Sequence, residues 1–225
     1  MTCIERIAFK GHRTAAAAML CLWMAAMPAG AQAPSNPNLN ARLLVAARQA
    51  DLVQLERILE QGAAPDSRNR LGKTPLLMAS EKGDVAMAER LLKAGANLEL
   101  PSLDGVTPLM AASYGGHTAL VKRLLDAGAH TDPFDRMKKP AIVYAAGQGH
   151  VGVLDALIAA GVDVNTPYEH QLTPLMWAAG QGHIDAVRLL LARGARAELR
   201  DDRGLTALDI ARQAGQASVL PLFGG

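Results

Sequence analysis

The sequence predicts an all-α fold, a solenoid of stacked helix-turn-helix units with β-turn fingers between them. Three registers carry this reading. Gly62, Gly95, Gly128, Gly161 and Gly194 recur every 33 residues, as do Ala46, Ala79, Ala112, Ala145, Ala178 and Ala211, and again Gly83, Gly116, Gly149, Gly182 and Gly215. A period of this size marks a repeat architecture, in which a unit buries its apolar face only by stacking on its neighbours. Composition agrees: half of the 225 residues are apolar and only 4% are aromatic, which suits short, closely packed helices.

The first element is an address. Met1 to Arg13 is basic, Thr14 to Met27 (TAAAAMLCLWMAAM) has no charge, and Pro28-Ala29-Gly30-Ala31 is built of small residues, the order of a secretory signal peptide. The 14-residue apolar run falls short of the roughly 20 residues that span a bilayer, so no stable membrane insertion is expected after cleavage. Processing can follow Ala31 or Ala33; Pro34 hinders the second site, so residues 1–31 are assigned to the signal and Gln32 to the mature end. There is no twin arginine, and Cys21 lacks the small residue before it that a lipoprotein signal needs. Sec-type export to a bacterial periplasm, rather than secretion beyond it, is therefore expected. Cys3 and Cys21 leave with this segment, which excludes a disulfide framework, a thiol nucleophile and thiolate-bound zinc from the mature chain. Residues 32–39, with two prolines, are expected to form a flexible lead-in.

The repeat domain then runs from 40 to 225: an N-terminal cap over 40–67, internal repeats over 68–101, 102–134, 135–167 and 168–200, and a C-terminal cap over 201–225. Thr74-Pro75, Thr107-Pro108 and Thr173-Pro174 start helices, since threonine offers an oxygen to orphan amides and proline at the first helical position sacrifices no hydrogen bond. The repeated alanines let neighbouring helices approach. Leu91-Leu92, Leu124-Leu125, Leu157-Ile158 and Leu189-Leu190 put apolar surface on the second helix, which the next glycine ends in a left-handed cap. The outer units are degenerate, with Ala41-Arg42 in place of Thr-Pro and Pro221 interrupting the last helix.

The run Thr107-Pro108-Leu109-Met110-Ala111-Ala112, Gly116-His117, Leu120-Val121, Leu124-Leu125, Gly128-Ala129 resembles the ankyrin repeat. The segments Lys73 to Ala96 and Leu172 to Ala195 copy the pattern nearly in full, and the likeness extends from Asn40 to the end. The chain is thus identified as an ankyrin-repeat protein of the exported bacterial type. The resemblance implies a non-catalytic scaffold whose fingers and first helices form a concave face for a protein partner. It does not name that partner, because ankyrin proteins share a fold while binding unrelated proteins.

Other chemistries find little footing. Three of the 23 basic and one of the 21 acidic residues precede residue 32, leaving 20 of each, and a neutral chain lacks the field that draws proteins onto nucleic acid or anionic lipid. No phosphate loop, nucleophile elbow or HExxH occurs. No catalytic residue, cofactor or metal is expected. His117, His150 and His183 recur at the period but are too far apart to share a metal, so each imidazole is expected to bond the neighbouring turn. His130 and His170 are expected to be solvated, Asp201-Asp202 to cap or solvate an exposed turn, and Tyr144 and Trp177 to pack between repeats.

The candidate site lies in the variable fingers. Lys138 and Gln171 replace the glycine of Arg70-Leu71-Gly72-Lys73 and its equivalents, and Pro140-Ala141 replaces Thr-Pro. Around them, Tyr114, Phe134, Met137 and Tyr168 are candidate anchors, with Arg136, Lys138, Lys139 and His170 at the rim. The expected protein is a monomer docking one protein partner. A second expectation, accessory to a periplasmic redox or haem enzyme such as a catalase, rests on the resemblance to exported bacterial ankyrin proteins alone.

Overall fold

The computed structural model describes residues 36–224; the signal segment and residues 32–35 of the lead-in lie outside them. Helix α1 (Pro37–Gln49) begins inside the stretch expected to be a flexible lead-in, which therefore ends earlier than the sequence reading placed it. Asn36 is the cause: its Oδ1 accepts from the amides of Asn38 at 3.0 Å and Leu39 at 3.4 Å, and Pro37 follows at the first helical position.

Five antiparallel pairs complete the order: α1 with α2 (Leu52–Glu60), α3 (Pro75–Lys82) with α4 (Val85–Lys93), α5 (Pro108–Tyr114) with α6 (Thr118–Asp126), α7 (Ala141–Gln148) with α8 (Val151–Ala159), and α9 (Pro174–Gly180) with α10 (Ile184–Ala192). The last unit pairs α11 (Ala207–Gln213) with a 3-10 helix, Ala217–Phe223, where Pro221 prevents a regular α-helix. The described residues contain helices and turns and no strand.

Threonine caps the first helices as expected, its Oγ1 accepting from Leu77 N (3.2 Å), Met110 N (3.3 Å), Met176 N (3.4 Å) and Asp209 N (3.2 Å). Pro140 takes the same extended conformation before α7 but has no oxygen to offer, so that helix starts uncapped.

One apolar core runs unbroken from Leu43 to Val219. The first helices of successive units touch more closely than the second helices do. That inequality follows from the alanine register, Ala79, Ala112, Ala145 and Ala178 being fully buried, and it curves the array with the first helices on the inside.

The histidine register has a structural role. Asp51 and Asp84 cap α2 and α4, accepting from Gln54 N at 2.9 Å and Met87 N at 3.0 Å. In the same register His117, His150 and His183 cap nothing. Each Nε2 instead donates to a carbonyl of the preceding unit: Glu81 at 3.2 Å, Tyr114 at 2.9 Å and Gly147 at 2.9 Å. This is the inter-turn bond expected from sequence. It also explains why glycine recurs just before: a Cβ on Gly116 (φ 72°) would lie 2.6 Å from the His150 ring.

Candidate partner-binding face

The fingers are held by a residue type that sequence reasoning passed over. At the 33-residue step, Asn69, Ser102, Asp135 and Asp201 each turn a side-chain oxygen back onto their own finger. Asp135 Oδ1, for instance, accepts from Met137 N at 2.9 Å and Lys139 N at 2.8 Å, the local bonding that favours Asx turns. Asp201 thus caps its turn as expected, and while Asp202, Arg203 and Gly204 are exposed its own side chain is buried. Burial pushes its pKa up, but bonds from Leu205 N and from Arg203 outweigh this and hold it below the usual carboxylate range.

Tyr168 stands in that register and has no such oxygen within reach of the finger. The fourth finger, Glu169-His170-Gln171-Leu172, closes differently, with positive φ at both His170 (60°) and Gln171 (58°) and Leu172 N donating to Glu169 O at 3.3 Å. Neighbouring fingers are tied by backbone bonds from Leu103 N to Leu71 O (2.9 Å), Arg136 N to Asp104 O (2.9 Å) and Asp202 N to His170 O (3.1 Å). The equivalent bond from Glu169 N to Met137 O is not made. In the first two fingers the glycine sits close to the next finger. A Cβ on Gly72 would lie 2.9 Å from Leu103 N, and one on Gly105 would lie 3.1 Å from Asp135 Cα. Lys138 occupies the same place at φ 52° and carries a Cβ, but so does Gln171, across which the Asp202 N to His170 O bond is made; the missing bond coincides instead with the altered closure of the fourth finger.

A groove of about 460 Å³ opens between the second and third internal units, lined by Val106, Met110, Ala111, Tyr114, Gly115, Met137 and Tyr144, with Glu81 at one edge. Its walls are mostly apolar. Tyr114 and Met137 are each 55% exposed, a large apolar area left open to water. The Tyr114 and Tyr144 rings meet edge to face at 5.6 Å, and the Tyr144 hydroxyl donates to Asp135 Oδ2. Burial, that bond and the Asp135 charge all push the Tyr144 pKa up. The contact couples the groove wall to the third finger, because the same carboxylate that anchors the finger's amides also fixes the ring.

The sequence candidates divide into groups. Tyr114 and Met137 share the groove. Phe134 is exposed and forms an edge contact with Tyr168 at 6.2 Å; Tyr168 itself is half-buried against the core, which makes it a support for Phe134 rather than a free anchor. Lys139 Nζ lies 4.6 Å from the Trp177 ring centre, within cation–π range. Arg136 approaches Asp104 at 3.9 Å. His170 is exposed as expected, its Nδ1 meeting Asp202 Oδ2 of the last unit at 2.9 Å, and it does not line the groove. Lys138 makes no ion pair among the described residues.

Tyr144, Trp177, Leu71 and Leu103 are among the residues of this face that were not singled out from sequence as binding residues. Tyr144 and Trp177 pack between units as expected, yet Tyr144 also lines the groove and Trp177 seats Lys139. Leu71 and Leu103 leave apolar side chains exposed on the first two fingers. Their finger position was visible at the period, but exposure depends on how far each finger curls.

Comparison with known proteins follows the geometry. Family models described as ankyrin repeats in three copies match residues 43–135 and 88–168, and one described as ankyrin repeats in many copies matches 157–211. The crystal structure of EF0377, an ankyrin repeat protein, superposes with a TM-score of 0.74 at 28% identity, covering 81% of this chain and 96% of that one. No curated protein matches the chain. With family matches spanning nearly all the helical units, from the core leucine of α1 into α11, the chain belongs to the ankyrin-repeat family, whose repeats serve as protein-interaction scaffolds.

Proposed function

We propose that this chain is a non-catalytic interaction module of the bacterial periplasm that docks one partner protein on the inner face of its second and third internal repeats. The observation that carries the reading is the open apolar groove, with Tyr114 and Met137 more than half exposed beside Tyr144 on a scaffold whose core is continuous. Exposed aromatic and methionine side chains held by rigid elements are the residues that dominate binding energy at interfaces. Phe134, with Tyr168 behind it, extends the surface, and the cations Arg136, Lys138 and Lys139 rim it. The protein acts as a monomer, without cofactor, and export by the segment before Gln32 places it in the periplasm.

Cross-linking in intact cells followed by mass spectrometry identifies the partner. Titrating that partner against Tyr114→Ala and Phe134→Ala, with circular dichroism as folding control, then tests the face. A true anchor costs about 2 kcal/mol or more on truncation, roughly 30-fold in affinity. Wild-type affinity in both folded variants would move the search to the outer helices. N-terminal sequencing of periplasmic material is expected to begin at Gln32; intact Met1 in a soluble cytoplasmic protein would refute export.

A further inference from the structure

We infer that the partner presents an extended acidic segment with one bulky apolar side chain, which enters the groove while its flanking carboxylates meet the third finger. This rests on the reading of the groove as a docking face and adds the chemistry of what it takes.

The argument is one of charge left over. The third finger, Arg136-Met137-Lys138-Lys139, has three cations in four residues, where the second has none and the fourth only His170. Asp135 at its base does not neutralise them. Its oxygens are turned inward onto Met137 N, Lys139 N and the Tyr144 hydroxyl, and it is buried. Arg136 has Asp104 at 3.9 Å, with both side chains strongly exposed, an arrangement worth little in water. Lys139 is positioned by the Trp177 ring at 4.6 Å, which orients the ammonium without cancelling its charge. Lys138 has no partner among the described residues and projects from a left-handed backbone position that glycine fills in the first, second and fifth fingers. The acid at the groove's far edge, Glu81, is already held by Lys73 at 2.6 Å.

The finger is thus a positive rim on one side of an apolar slot whose opposite acid is satisfied. A complementary chain places carboxylates over Lys138 and Lys139 and inserts a leucine-sized or aromatic group between Tyr114 and Met137. Methionine suits such a wall because it adapts to the shape it meets. A nucleic acid or an anionic membrane also carries negative charge, but each binds through extended positive surface, and here Asp104 and Glu169 stand on the two adjoining fingers.

The test displays random linear peptides of roughly ten residues, long enough to lie across two fingers, to the purified full chain. Enriched peptides are measured by fluorescence polarisation against wild type, Tyr114→Ala and the double variant Lys138→Glu, Lys139→Glu, each checked by circular dichroism. Expected are sequences with acids flanking a bulky apolar residue, whose affinity falls at least about tenfold in both variants and whose association weakens with salt. Enriched peptides that are basic or uncharged, yet lost on Tyr114→Ala, would overturn the acidic partner while leaving the docking face standing. Failure to enrich any peptide, or peptides indifferent to Tyr114→Ala, would overturn the inference; the cross-linked partner's response to the same variant then decides the docking face separately. Oligothymidylate and phosphatidylglycerol vesicles are run alongside, and binding of either that disappears in the lysine variant would overturn the inference in favour of that surface.

Discussion

Replacing Lys138 with glycine should stabilise the protein, although it removes a side chain from the candidate binding face. A non-glycine residue in the left-handed region costs about 1–2 kcal/mol, and glycine's greater freedom in the unfolded chain takes back about 0.5–1 kcal/mol. Lys138 sits at φ 52° without an ion pair among the described residues, so its removal forfeits little else, and a net gain of up to about 1.5 kcal/mol is expected. The reverse exchange calibrates the claim. At Gly204, φ 81°, a Cβ meets nothing within 4 Å, so Gly204→Ala should cost only the conformational balance, about 1 kcal/mol. At Gly72 the Cβ lies 2.9 Å from Leu103 N, the donor of the finger-to-finger bond. Gly72→Ala should therefore add the loss of that bond, about 0.5–1.5 kcal/mol more. Urea unfolding of the four proteins, followed by circular dichroism at constant m, gives the order directly. A destabilised Lys138→Gly, or Gly72→Ala no worse than Gly204→Ala, would refute the account of strain and close approach at these finger positions.

Gly128→Val should destabilise by more than about 1 kcal/mol through strain alone, because φ there is 93° with nothing near the added Cβ; an unchanged denaturation midpoint would contradict the left-handed cap. Tyr144→Phe strands Asp135 Oδ2 and should cost about 1–3 kcal/mol while leaving the Asp135 Oδ1 bonds to Met137 N and Lys139 N, measurable as a shift in the urea midpoint. The raised Tyr144 pKa means that the hydroxyl's contribution is complete below the ordinary tyrosine value of about 10 and is lost as pH rises beyond it; stability measured from pH 8 to 11.5 should fall less steeply in Tyr144→Phe than in wild type. Asp201 has the opposite sign: its lowered pKa supplies stability above the ordinary aspartate value that fades as pH falls, so Asp201→Asn should flatten the acid limb of the same profile.

The helices were legible because each rule acts within a few residues. Threonine then proline, alanine in step and glycine at the turn name the start, the stacking face and the stop of the first, second and fourth internal units, and α3, α5 and α9 begin where Thr74, Thr107 and Thr173 predict. The earlier start of α1 was legible too, in Asn36-Pro37, but a repeat template aligned on Ala41-Arg42 hid it. The Asn69, Ser102, Asp135, Asp201 register was equally visible, with Tyr168 as its exception. The bond from Tyr144 to Asp135 was not, since nine residues separate the pair and only the rotation of α7 against its own finger brings hydroxyl to carboxylate.

The same departure from the repeat that was read as a binding signal also alters the scaffold beneath it. The first and second fingers bond across Gly72, whereas the third and fourth, with Lys138 in that place, lack the bond from Glu169 N to Met137 O. That carbonyl and amide are left without each other beside the exposed Met137 side chain. Tyr168 then serves the altered finger by packing behind Phe134 instead of capping backbone. The strain at Lys138 is thus spent where a partner would sit, which is where tolerated backbone strain is most often found. Restoring glycine separates the two roles: if Lys138→Gly stabilises the fold and weakens the acidic peptide, the residue trades stability for recognition, whereas a stabilised protein that binds as before would make the finger's departure a matter of structure alone.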